Sequence, residues 1–297
     1  MKKVITILLS VILMMNVFSV NVYADIGPKP SVVIDFHGLE GETYYATLLS
    51  NVESTGPYSA LSYGNKYARY EEGDKEYAVF LKFVEYRDED GFYFLQIFQD
   101  CSESHQFSWS YYPPKEFKIL LYFPETDRFV ISDKSYQRYA FDSYFTAEIS
   151  GLNLLDTTQD RSNIILEKSY DYGAEIFSMI VRILLTFFVE LGIALLFGFR
   201  EKKQFYFIIL VNALTQIGLN VTLNTINYRS GQMAFVIFYI LLEIVVFIVE
   251  AILYTMYLKK HSKKEVSDWK PWVYALVSNV ASFALGLKLA QLIPGIF

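Results

Sequence analysis

Four apolar runs occupy the C-terminal part of the chain, at roughly residues 176–199, 205–225, 233–258 and 271–293. Each reaches the about 20 residues that a helix rising about 1.5 Å per residue needs to cross a hydrocarbon core about 30 Å thick. No other feature limits the fold as strongly. Inside lipid a segment must satisfy its own backbone N–H and C=O groups, so these runs are expected as helices, a bundle of four transmembrane spans over residues 173–297.

The connections give an orientation. "REKKQ" (200–204) and "KKHSKKEVSDWK" (259–270) are lysine-rich, whereas "INYRSGQ" (226–232) holds only Arg229. Basic loops stay cytoplasmic. At the other end, Lys2 and Lys3 precede an apolar stretch that ends in Val22 and Ala24, the positions a signal peptidase prefers. Residues 1–24 therefore read as a signal peptide cut after Ala24, because that apolar stretch is too short for a spanning helix. Export of this start sends residues 25 to about 175 outside and makes the first span run inward, the same topology that the loops give. The C-terminus falls at the outer face, and Tyr254, Tyr257, Trp269 and Trp272 are expected near the inner interface, where amphipathic rings settle.

The net charge of −6 is unevenly held: residues 25–175 carry 26 acidic and 13 basic side chains, the remainder 6 and 13. Residues 25–172 form an acidic extracytoplasmic domain for which nucleic acid is an unsuitable partner. The single cysteine, Cys101, allows no internal disulfide and lies far from the cleavage point, so lipid anchoring there is not expected. Its expected role is that of a small buried residue.

Depth along the runs places polar groups at common levels. At about 1.5 Å per residue from the cytoplasmic ends, Glu190, Asn212, Glu250 and Asn279 fall about 10 to 13 Å deep, close to the midplane. Glu243 lies two helical turns from Glu250 on nearly the same face, level with Asn220, and Arg182 and Lys288 follow one turn further out as ion-pair candidates. Asn212, Gln216 and Asn220 repeat every four residues, a stripe that belongs inside the bundle. Burying an ionised carboxylate at this depth costs about 2.5 to 3.5 kcal/mol, so Glu190 and Glu250 are expected to be protonated, amide-bound or holding a cation. Polar groups that merely fasten helices together would need no acids.

Catalysis has little support. His37 and His105 lie outside the membrane and His261 in a cytoplasmic loop, which leaves the acids without histidine partners for a metal or a proton relay, and no motif asks for a cofactor. In the exported region, "SVVIDF", "TYYATLL", "FYFLQIF", "FKILLYF", "RFVIS" and "YFTAEI" are aromatic or β-branched runs between Gly, Pro and acidic turns, as in a small antiparallel sandwich. Residues 124–127 read as a hairpin turn, and Tyr77, Phe80, Leu81 and Val84 recur at helical spacing, so one short helix is expected there. "WSYYPP" (109–114) is the densest aromatic cluster, fit either for a core or for ligand contact. "DEDG" (88–91) lacks the remaining oxygens of a calcium loop and reads as a turn.

The opening "ADIGPKPSVVIDFHGLEGETYYATLLS" and the motifs "VELGIALLFGFR", "NALTQIGLN", "LEIVVFIVEAILY" and "SNVASFALG" resemble those of uncharacterised exported membrane proteins of Gram-positive bacteria. The resemblance implies an external β-rich domain and a four-helix membrane unit, and no activity. Three readings follow. The first is a cell-envelope membrane protein whose external domain binds a ligand or a partner in the membrane or wall while its helices anchor it, alone or as an oligomer. The second is a small transporter or ion-conducting subunit using the Glu/Asn layer, and the third an intramembrane enzyme.

Overall fold

Two compact units divide the chain, residues 28–170 and the region from Asp171 onward. The computed structural model describes residues 27–61, 69–149, 161–162, 164–263 and 265–292. The signal peptide read over residues 1–24 and the chain end after residue 292 lie outside the described residues.

In the first unit the strands are β1 (Ser31–His37), β2 (Tyr45–Ser50), β3 (Ser54–Thr55), β4 (Tyr58–Ser59), β5 (Tyr93–Phe94), β6 (Gln99–Asp100) and β7 (Gln106–Trp109). They continue with β8 (Glu116–Phe123), β9 (Arg128–Ser132), β10 (Tyr136–Gln137), β11 (Asp142–Ile149), β12 (Arg161–Ser162) and β13 (Ile164–Lys168), and one helix, α1 (Tyr77–Glu85), lies between β4 and β5. One sheet runs β13-β11-β1-β7 and a larger one β12-β9-β8-β2-β5, with β10 and β6 attached; β3 and β4 pair separately. Alternation sets the layers, because successive strand residues point to opposite faces. Val32, Ile34 and Phe36 of β1, with Phe145, Ala147 and Ile149 of β11, share a core with Ile119 and Leu121 of β8. The opposite face of β8 presents Leu120 and Tyr122 to Phe80 and Phe83 of α1. Strand β8 is buried on both sides for this reason, and the unit is a sandwich with a helix over its larger sheet.

Two expectations are corrected here. The sandwich is mixed rather than antiparallel, since β1 pairs with β11 in parallel along its full length, and β12 with β9 likewise. A parallel neighbour needs a long crossover, which most of the domain supplies between β1 and β11. The run "FYFLQIF" is not one strand. Gln96 has φ 63°, a left-handed conformation that breaks the extended chain, and its amide donates to Ser59 O at 2.6 Å. The hairpin of β8 and β9 turns through Pro124–Asp127, and α1 covers the helical periodicity at residues 77–84.

The unit from Asp171 onward is helical: α2 (Tyr172–Leu196), α3 (Lys202–Leu258) and α4 (Trp269–Leu292). Asp171 caps α2 by accepting from Ala174 N at 2.9 Å. Helix α3 is interrupted at Gly231, whose φ of 81° and ψ of 175° lie outside helical space and suit a residue without Cβ. Its halves, 202–230 and 232–258, fold back on each other. Gln204 Nε2 donates to Leu258 O at 3.2 Å, Asn212 Nδ2 to Tyr254 Oη at 3.0 Å and Thr215 Oγ1 to Glu250 Oε1 at 2.8 Å, a descending register that only antiparallel segments give. Leu219 and Leu223 pack on Leu242 and Val246 further along the same seam. Helices α2 and α3 are long and apolar enough to cross a membrane.

Candidate functional site

Within the helical unit the side chains converge on two acids. Glu190 and Glu250 are each 0 % exposed. Glu190, on α2, accepts from Asn212 Nδ2 through Oε2 at 2.6 Å. Glu250, on the second half of α3, accepts from Thr215 Oγ1 through Oε1 at 2.8 Å and from Asn279 Nδ2 of α4 through Oε2 at 2.7 Å. All four helical segments therefore contribute at least one polar side chain to this site, and the carboxyl groups of Glu190 and Glu250 are near enough to interact electrostatically. Tyr274 Oη of α4 donates to Glu190 O at 3.3 Å.

Both amides also hold their own helices. Asn212 Nδ2 reaches Ile208 O at 3.2 Å and Asn279 Nδ2 reaches Ala275 O at 2.9 Å, so each side chain is fixed by the turn before it. The oxygens are less well served. Glu190 Oε1, Asn212 Oδ1 and Asn279 Oδ1 are buried without a donor among the described residues.

Other sequence candidates lie around this site. Gln216 and Asn220 are buried one and two turns beyond Asn212, where Asn220 Nδ2 donates to Gln216 O at 2.8 Å. Glu243 lies one helical turn beyond Tyr239 on the second half of α3, near enough for the two to interact electrostatically. Arg182 Nη2 donates to Asn224 Oδ1 at 3.4 Å, and Lys288 is exposed.

Three contributors escaped the sequence reading. Thr215 is one helical turn from Asn212 and shares its face, but a lone threonine hydroxyl carries neither the charge nor the amide that marks a buried polar site in a sequence. Tyr254 and Tyr274 are fully buried, their rings 5.3 Å apart. Tyr254, expected near the inner interface, has its ring buried in the helical unit, and its hydroxyl accepts from the Asn212 amide. An aromatic ring with a hydroxyl serves a buried polar site as well as a membrane boundary, and periodicity does not separate the two.

The β-rich unit holds the remaining sequence candidates. The Cys101 thiol is buried and pushed up to about 12, by burial first and then by the nearby Asp100 charge. His105 Nδ1 faces Tyr44 Oη at 3.2 Å, not the thiol, so no thiol–imidazole pair forms. Asp88 and Asp90 hold the buried Lys118 ammonium, with Asp88 Oδ1 at 3.1 Å, and Gly91, at φ 79°, closes the turn. Of the "WSYYPP" cluster, Trp109 is in the core against Tyr58, while Tyr111 is exposed. His37 is also exposed. Among the described residues no three His, Cys, Asp or Glu side chains gather as a metal site.

No family model, curated protein or solved structure matches the chain.

Proposed function

We propose that the chain is an integral membrane protein of the cell envelope whose exported β-rich domain contacts a ligand or a partner and whose helical unit anchors it. In this reading residues 176–199, 205–225, 233–258 and 271–293 cross the bilayer as four spans, with the loops at 200–204 and 259–270 in the cytoplasm. The fold-back at Gly231 supports the count, because each half of α3 is about 40 Å long at about 1.5 Å per residue and spans a core of about 30 Å by itself.

The observation that favours an anchor over a conducting path is the sealing of the two acids. Glu190 and Glu250 are fully enclosed and tied to amide and hydroxyl donors of neighbouring helices, whereas acids that serve a pathway line a hydrated cavity. An enzyme is the least supported class, since no histidine stands beside them.

Cysteine labelling on intact cells tests the topology. Native Cys101 is buried and stays silent, so single cysteines at Glu103 and Lys260, both exposed, report cleanly. A membrane-impermeant maleimide should label position 103 and not 260, and the reverse pattern overturns the orientation. The binding role is tested with residues 25–170 as a soluble segment added to envelopes stripped of the protein. Saturable retention is expected, and retention no greater than that of an unrelated acidic protein rejects it.

A further inference from the structure

Glu190 and Glu250 are each paired with an amide in the same incomplete way. Asn212 gives an N–H to Glu190 Oε2, and Asn279 gives an N–H to Glu250 Oε2, yet the carbonyl oxygen of each amide has no donor among the described residues. Glu190 repeats the deficit at Oε1. A buried acceptor without a partner is costly, and the native arrangement normally supplies one. Two of these acceptors, Glu190 Oε1 and Asn212 Oδ1, belong to one hydrogen-bonded pair.

The two acids also differ. Glu250 has a donor on each oxygen, from Thr215 and Asn279, which is the pattern of a carboxylate. Glu190 has a donor on one oxygen only. When an acid and an amide pair, the amide N–H serves one carboxyl oxygen, and a proton on the other oxygen can serve the amide carbonyl. The atoms left over on Glu190 and Asn212 are the two that such a proton would join. A small metal cation bound by the same oxygens would satisfy them too, since carboxyl and amide oxygens suit hard ions.

We propose that Glu190, with the amide oxygen of Asn212, is the binding site for one small cation held by oxygen atoms alone, a proton or a sodium ion, while Glu250 carries the balancing negative charge. The groups facing the site are Glu250 and Tyr254 of α3 and Tyr274 of α4, with Glu243 at longer range. A bound cation closes the hydrogen-bond set and joins the helices through it. The site rests on the helical unit alone and is independent of what the β-rich domain binds.

Infrared difference spectroscopy on the full-length protein in lipid nanodiscs tests this, in choline buffer with a chelator and then with sodium chloride added. The expected result is a protonated-carboxyl C=O band at neutral pH in sodium-free buffer, lost in Glu190→Gln and retained in Glu250→Gln. A band unmoved by sodium identifies the cation as a proton, and a band bleached by sodium but not by extra choline identifies sodium as a competitor for the same oxygens; both outcomes uphold the site. A band absent from sodium-free wild type, or one that persists in Glu190→Gln, overturns it. Should Glu190→Gln fail to assemble, Asn212→Leu offers a second reading, because loss of the amide partner must shift the wild-type band, and an unshifted band rejects the assignment.

Discussion

Replacing Thr215 by Val isolates one bond of the buried level, because Val keeps the branched shape and removes only the hydroxyl. That hydroxyl reaches Glu250 Oε1 at 2.8 Å, with Val211 O at 3.0 Å as the alternative acceptor. A hydrogen bond to a charged group contributes about 1.5 to 3 kcal/mol in soluble proteins, whereas polar contacts between membrane helices average about 0.6 and reach about 1.7 kcal/mol. An enclosed carboxylate held by two donors should lie at the upper end of the membrane range, so Thr215→Val is expected to destabilise the bundle by about 1.5 kcal/mol. In a Glu250→Gln background the acceptor is neutral and the hydroxyl can turn to Val211 O. The same change should then cost about 0.5 kcal/mol, giving a coupling of about 1 kcal/mol. Reversible unfolding of the four variants in mixed micelles of increasing denaturing detergent measures the cycle. Additive effects, within the about 0.3 to 0.5 kcal/mol by which independent sites agree, would refute a charged Glu250 bonded to Thr215.

The segment 25–170 should fold without its helices and without a disulfide; a disordered spectrum with no cooperative melting would count against a self-contained sandwich. In that segment Lys118→Met leaves Asp88 buried and unpaired and should cost about 3 to 5 kcal/mol, and adding Asp88→Asn should recover much of it, both read from urea melts. Burial raises the Cys101 thiol to about 12, so the folded state prefers the neutral form. Its contribution is intact below the unfolded value of about 8.5 and falls as pH rises from there to about 12, by up to about 1.4 kcal/mol per pH unit. Cys101→Ala should flatten that alkaline decline, and an unchanged slope would show that the thiol is not its source. Gly231→Ala forces a side chain onto a φ of 81° and should weaken the α3 hairpin by about 1 to 2 kcal/mol in the same detergent titration.

Helical depth was legible because it is a local quantity. Counting 1.5 Å per residue from a basic loop needs no knowledge of the partner, and Glu190, Asn212, Glu250 and Asn279 lie at one level in the structure for that reason. Sheet pairing is not local. The strand β1 could have met any of several similar runs, and nothing in "SVVIDF" distinguishes β11 as a parallel neighbour 111 positions away, where Ser31 Oγ donates to Asp142 Oδ1 at 2.6 Å. The break at Gln96 was hidden as well. Glutamine rarely adopts positive φ, and the interaction that stabilises it there is with Ser59, on another strand.

The rotation of each helix about its axis sets a further limit. Level alone would permit Asn212 to face lipid, and the four-residue amide stripe with Gln216 and Asn220 only showed which side was polar. What turns that side toward α2 and the second half of α3 is the hairpin at Gly231, which fixes Asn212 opposite Tyr254 and Thr215 opposite Glu250. A residue's partner across such a seam is set by the position of the turn: with the fold-back at Gly231, residues equally distant from it on either side must meet. That relation pairs 215 with 250 within three positions of exact symmetry, and 212 with 254 within four. Glu250 could thus have been assigned its hydroxyl partner Thr215 from the sequence once "INYRSGQ" was taken as a turn at its glycine, whereas its pairing with Asn279 on another helix, and that of Glu190 with Asn212 across a separate turn at Gly198, required the helices to be placed in space.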